Sequence, residues 1–174
     1  TKISMLFDLL QIGSVSLTNR MLMAPLTRAR ASAGHMPNAL MAEYYAQRAS
    51  AGLIITECTM IAENTSAFVN EPGIYNAAQI EAWKETTAAV HAKGGKIFMQ
   101  IWHAGRAAHP ANNDGSPIVS SSNLPLQGDA HTAQGCCPKP RPTPCWKAKL
   151  PPSCKPLRRP PKTPWLQVLT AWKY

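Results

Sequence analysis

Residues 136–174 contain no aspartate or glutamate, yet they carry nine Lys/Arg. Residues 1–135 hold nine Lys/Arg against nine Asp/Glu, so the formal net charge of +9 resides wholly in the last 39 residues. A basic chain ordinarily points to nucleic acid or an anionic surface. Here the body is neutral, and only the C-terminal segment could serve that role. No apolar run approaches the roughly 18–20 residues that a membrane-spanning helix requires, which predicts no membrane partner. The opening stretch TKISMLFDLL lacks the charged flank and long apolar region of a secretory signal, so the cytoplasm is the expected location. No G-x-G-x-x-G and no G-x-x-x-x-G-K-[ST] occurs, which excludes the usual dinucleotide and P-loop phosphate cradles. Cys58 is the only cysteine of the body, and Cys136, Cys137, Cys145 and Cys154 show no C-x-x-C spacing. Neither a disulfide framework nor a metal site is expected.

The body does show alternation between two periods. LQIGSVSLTNR alternates apolar positions around Gly13, the pattern of a short hairpin. MLMAPL, residues Met21 to Leu26, is an apolar run of the kind that forms a strand buried on both faces. PNALMAEYYAQRAS, Pro37 to Ser50, sets Leu40, Met41, Tyr44 and Tyr45 at helical spacing. GLIITEC, Gly52 to Cys58, is a second buried strand. Asn76 with Gln79 three positions on resembles a capping box, and Ile80, Trp83, Thr87 and Val90 make one stripe of the next helix. Gly94 and Gly95 end that helix, and KIFMQIWH, Lys96 to His103, is a third strand. Strand, helix, strand, helix, strand predicts an α/β fold with parallel pairing. The order alone fits either an open sheet or a barrel.

Ligands of parallel α/β folds collect at the C-terminal ends of strands. The polar residues there are Thr27, then Glu57, Cys58 and Thr59, then Gln100, Trp102, His103 and Arg106. They include no nucleophile–base pair and no carboxylate pair, so the set suits a cofactor cradle better than a hydrolytic site. From the residues alone, Thr27 also reads as a plain strand-end hydroxyl, Trp102 as core and Cys58 as a small packing residue. Arg28, Arg30 and Arg106 read as groups that orient loops.

Three segments, LQIGSVSLTNRMLMAPLTRARA, AEYYAQRASAGLIITECT and FMQIWHAGR, resemble in order those of the old yellow enzyme family of FMN-dependent ene-reductases. The resemblance implies the N-terminal portion of a (β/α)8 TIM barrel, about three strands of it, with FMN at the C-terminal face. It implies that Pro25, Leu26 and Thr27 line the flavin, with Thr27 near its O4/N5 edge tuning its potential. It places the Cys58 backbone against the flavin, Gln100 at the pyrimidine end and Trp102 in the substrate pocket. NAD(P)H would give a hydride to the flavin, which passes it to the β-carbon of an activated alkene. The family's polarising pair, His with His or Asn, and its proton-donating Tyr belong to later strands that are not legible in this chain.

Residues 136–174 hold ten of the sixteen prolines and four of the five cysteines. Their codons read differently in another frame. Cys145-Trp146-Lys147, read from the third base of the first codon, gives Leu-Glu for every synonymous choice. KTPWLQVLTAWKY, read from the third base of the Lys162 codon, spells N-A-L-A-A-G-F-D-G-V-E-I with permitted wobble bases. That string resembles the helix end and fourth strand of the family. The expectation is therefore two parts, 1–135 as a partial FMN-binding barrel and 136–174 as a disordered, out-of-frame basic tail, with alkene reduction lost. The alternative is a non-catalytic protein whose tail engages nucleic acid, acidic surfaces or SH3-like domains through its P-x-x-P spacing. No specific nucleic-acid module accompanies the charge.

Overall fold

The structure, a computed structural model, describes residues 4–144. The first elements are a hairpin, β1 (Leu10–Ile12) and β2 (Val15–Leu17), paired antiparallel with Leu10 opposite Leu17. Gly13 sits in its turn at φ +58, a conformation that costs glycine nothing. Next along the chain are β3 (Leu22–Met23), α1 (Ala39–Ala46), β4 (Leu53–Met60), α2 (Ala77–His91) and β5 (Ile97–Trp102). The three strands form one parallel sheet in the order β3-β4-β5. The alternation of periods is thus realised as parallel βαβαβ.

The apolar run Met21–Leu26 behaves differently from its expectation. Only Leu22 and Met23 pair with β4, because Pro25 has no N–H for a ladder and the chain leaves the sheet ahead of it. Leu22 is 46% exposed rather than buried on both faces. The first helix is likewise shorter than Pro37–Ser50, opening with the Asn38 side chain accepting the Met41 N–H. Leu40 points outward, whereas Met41 and Tyr45 are buried.

Both helices lie on one face of the sheet. Their core joins Met41, Tyr45 and Ala49 to Ile80, Trp83 and Val90, over Ile54 and Ile97 of the sheet. The predicted stripe of α2 is buried at every position, Ile80, Trp83, Thr87 and Val90. Asn76 caps α2 by accepting the Gln79 N–H at 2.9 Å. The reciprocal bond takes a different route from a capping box, since the Gln79 side chain accepts from Tyr75 N and donates to Gly34 O. It thereby ties the helix start to the segment before α1. Gly52 is dictated by close approach, since a Cβ there would lie 2.1 Å from the Asn19 carbonyl oxygen.

Beyond β5 come short pieces: β6 (Val119–Ser120), β7 (Asp129–Thr132), β8 (Gly135–Pro138) and β9 (Thr143–Pro144). β7 and β8 form an antiparallel hairpin with His131 opposite Cys136, and β9 pairs in parallel with β6. Gly135, where the sequence-based division was drawn, lies at the start of β8 in this hairpin. The tail from Cys145 onward, including the out-of-frame segment at Lys162–Tyr174, lies outside the described residues. Among the described residues no helix is long and apolar enough to cross a membrane, and no cluster of three metal-ligating side chains occurs.

Candidate functional site

The C-terminal ends of β3, β4 and β5 lie side by side, so residues far apart in sequence converge. The register places Cys58 opposite Gln100 and Met60 opposite Trp102. The Cys58 thiol donates to Gln100 Oε1 at 3.2 Å, and the Thr27 side chain lies near the same sulfur. Burial pushes the Cys58 thiol up, with Thr27 pulling against it. The thiol is therefore a neutral donor and not a reactive thiolate. Pro25 and Leu26, beside Thr27, are exposed, Leu26 to 54%.

A β-bulge between Ile55 and Cys58 shapes this rim. Bulges leave a ladder group unpaired, and two hydroxyls take up what this one leaves. Tyr45 Oη accepts the Glu57 N–H at 2.8 Å, and Thr56 Oγ1 accepts the Gln100 N–H at 3.0 Å. The Glu57 carboxylate, 1% exposed, accepts from Tyr45 Oη at 3.2 Å and from the Arg28 backbone N–H at 2.9 Å. Burial raises its pKa, with the Arg28 N–H and the Tyr45 hydroxyl pulling it down. Glu57 thus fixes the backbone immediately after Thr27, a role that its place within an apolar strand does not reveal.

The arginines orient loops. Arg28 lies 5.3 Å above the Tyr44 ring and Arg48 lies 3.8 Å from it, so Tyr44 contacts two guanidinium groups. Arg30 donates to the carbonyls of Arg28 and Ala29, and Arg106 to the hydroxyls of Ser120 and Ser122. His103 accepts the Gly105 N–H through Nδ1, and burial lowers its pKa.

Trp102 closes one side of the rim. Its ring stacks on Phe68 at 6.1 Å and 12°, and its indole N–H donates to Glu71 Oε1. Glu71 was absent from the sequence-derived set. It is fully buried, and its carboxylate also accepts from Ser66 Oγ, Ala67 N and Phe68 N. Burial pushes its pKa up to about 7, against the pull of these four donors.

A carboxyl whose pKa is higher folded than unfolded holds its proton more tightly in the native state. Its contribution to stability is complete below the ordinary value of 4.5 and is lost as pH rises to about 7. Glu71→Gln, which cannot titrate, is expected to flatten that part of the stability profile. Urea midpoints of both proteins between about pH 5 and pH 8 measure it. Equal slopes in the two proteins would show that Glu71 does not titrate in this window.

The family model for the NADH:flavin oxidoreductase / NADH oxidase family matches residues 5–139. The chain is 50% identical over 132 residues to chanoclavine-I aldehyde reductase from Penicillium roqueforti, covering 73% of this chain and 36% of that one. It is 47% identical over 120 residues to a Leishmania infantum protein named "Probable flavin mononucleotide-dependent alkene reductase", covering 68% and 33%. The fold superimposes on the old yellow enzyme homologue of Zymomonas mobilis with a TM-score of 0.77 and 45% identity, over 80% of this chain and 39% of that one. The chain thus spans about a third of the length of the curated relatives it matches, and its three parallel strands are the opening part of their (β/α)8 barrel. With motif order, fold and rim in agreement, the chain belongs to the NADH:flavin oxidoreductase / NADH oxidase family, the FMN-dependent flavoproteins of old yellow enzyme type.

Proposed function

We propose that the chain carries the flavin-facing opening part of an ene-reductase that reduces activated alkenes at the expense of NADH or NADPH, and that these 174 residues alone are inactive. The observation that supports the reading is the convergence of Thr27, Cys58 and Gln100 at adjacent strand ends, with Trp102 next on β5. These groups fit one edge of a flavin. The Gln100 side chain spends its carbonyl on Cys58, and among the described residues its amide N–H groups are left for a ligand. Pro25 and Leu26 offer exposed apolar surface for a ring system. Thr27 would stand at the O4/N5 edge, Gln100 at the pyrimidine end and the Cys58 backbone along the ring, while Trp102 would wall the substrate pocket. Bound FMN supplies the hydride relay between nicotinamide and alkene. The residues named here bind, orient and exclude water; none of them donates the proton that completes the reduction.

The inactivity is a consequence of physical incompleteness. A barrel of this type closes with about 250 residues and eight strands, whereas the described residues supply three. Among the described residues β5 is a sheet edge, and Phe98, Ile101 and Leu22 are 40%, 41% and 46% exposed. The polarising pair and proton donor implied by the family are not among the residues gathered at this rim. The test is NADPH oxidation coupled to reduction of 2-cyclohexenone by the purified chain with added FMN. No turnover above the free-flavin background is expected; turnover at ordinary enzymatic rates, above about 1 per second, would overturn the reading.

A further inference from the structure

Glu71 belongs to no element of the sheet, yet it bonds two separate parts of the rim. One carboxylate oxygen accepts the Trp102 indole N–H at the end of β5. The other accepts Ser66 Oγ at 3.1 Å, Ala67 N at 3.2 Å and Phe68 N at 3.3 Å, in the loop after β4. Asn113 ties the same turn from beyond β5, accepting the Ser66 N–H at 2.7 Å and donating to the Ser66 carbonyl at 2.8 Å. The carbonyl of Glu71 is itself bonded to His35 Nδ1 at 2.7 Å. The consequence of these bonds is the parallel stack of Phe68 on Trp102, with Phe68 39% exposed as its outer leaf.

We propose that Glu71 is a positioning residue: it locks the Trp102 indole and the Ser66–Phe68 turn into one rigid aromatic wall, which fixes the shape of the space beside it. The proposal rests on the reading of Trp102 as the pocket wall. A half-buried tryptophan has alternative rotamers, and each would change the shape of the space beside it. A bond from its only N–H to a buried carboxyl oxygen selects one of them. A pocket discriminates between substrates only as sharply as its walls are fixed. Truncating Glu71 would release the indole and, through the loss of the turn's three other bonds, its stacking partner as well.

The test is the indole N–H spectrum of the full 174-residue chain labelled with 15N-tryptophan, with the Trp102 signal assigned by Trp102→Phe. Trp83 is the internal reference for folding, since it is fully buried with its N–H on Gly73 O at 3.1 Å. Glu71→Leu is expected to speed hydrogen exchange at Trp102 at least tenfold while the Trp83 signal stays in place. Glu71→Gln keeps the shape but has a single acceptor oxygen, which the three donors of the turn claim, so its NH2 faces the indole. The substitution is expected to move the Trp102 signal upfield and speed its exchange several-fold. An unchanged Trp102 signal in Glu71→Gln would overturn the proposal even where Glu71→Leu fails to fold. Neither readout requires flavin or alkene, so failure of the ene-reductase reading would leave both results standing, and loss of the clamp would leave that reading intact.

Discussion

Tyr45→Phe, the removal of one oxygen atom, is expected to destabilise the chain by about 2–4 kcal/mol. The hydroxyl both accepts the Glu57 N–H and donates to the Glu57 carboxylate, and the two residues are 0% and 1% exposed. Without it, a backbone donor at the bulge and one oxygen of a buried carboxylate each lose a partner that water cannot replace. Each such orphan costs about 1–3 kcal/mol. Burial raises the Tyr45 pKa, with the charge of Glu57 adding to the effect, so the phenol stays a donor throughout the accessible pH range. The measurement is a urea midpoint at constant m-value, with Tyr44→Phe, half-buried on the outer side of α1, as the control expected to change little. A shift no larger than the control's would mean that the bulge is satisfied in some other way.

Trp83→Ala should be more severe. Trp83 is fully buried between the helices and the sheet, 6.3 Å from the Tyr45 ring, and its N–H holds the Gly73 carbonyl. Emptying a site of that size costs about 3–5 kcal/mol before the lost hydrogen bond is counted. A small domain has about 5–15 kcal/mol in total, and one with a sheet edge and apolar side chains in water lies toward the lower limit. The expected result is loss of a cooperative urea transition, with Trp83→Phe retaining one at a lower midpoint. A cooperative transition in Trp83→Ala near the parent midpoint would place the core elsewhere.

The order of strands and helices was legible because local signals agreed with the tertiary outcome. Asn76 caps where its side chain can reach Gln79, and the α2 stripe is buried because α1 covers it. MLMAPL misled because hydrophobicity records what a whole barrel would cover, whereas hydrogen bonding stops at Pro25. At the rim, the sequence brought Thr27, Cys58 and Gln100 forward as strand-end polar groups, and the register joins them. It offered no hint of Glu71, which sits 31 residues from Trp102 in an aperiodic loop. Side chains that act across loops leave no period in the chain, and only the folded structure pairs them.

The tail remains tied to the same account. If residues from about Cys136 are an off-frame reading, a single-base correction there should restore the family's fourth strand and the remaining strands of the barrel. Flavin content of the purified 174-residue chain, compared with that of the frame-corrected product read on past codon 174, tests this most directly. The account predicts a colourless 174-residue chain and a yellow corrected protein holding one FMN per chain. A yellow, monomeric 174-residue chain with full flavin occupancy, or a corrected frame that meets stop codons at once, would contradict it.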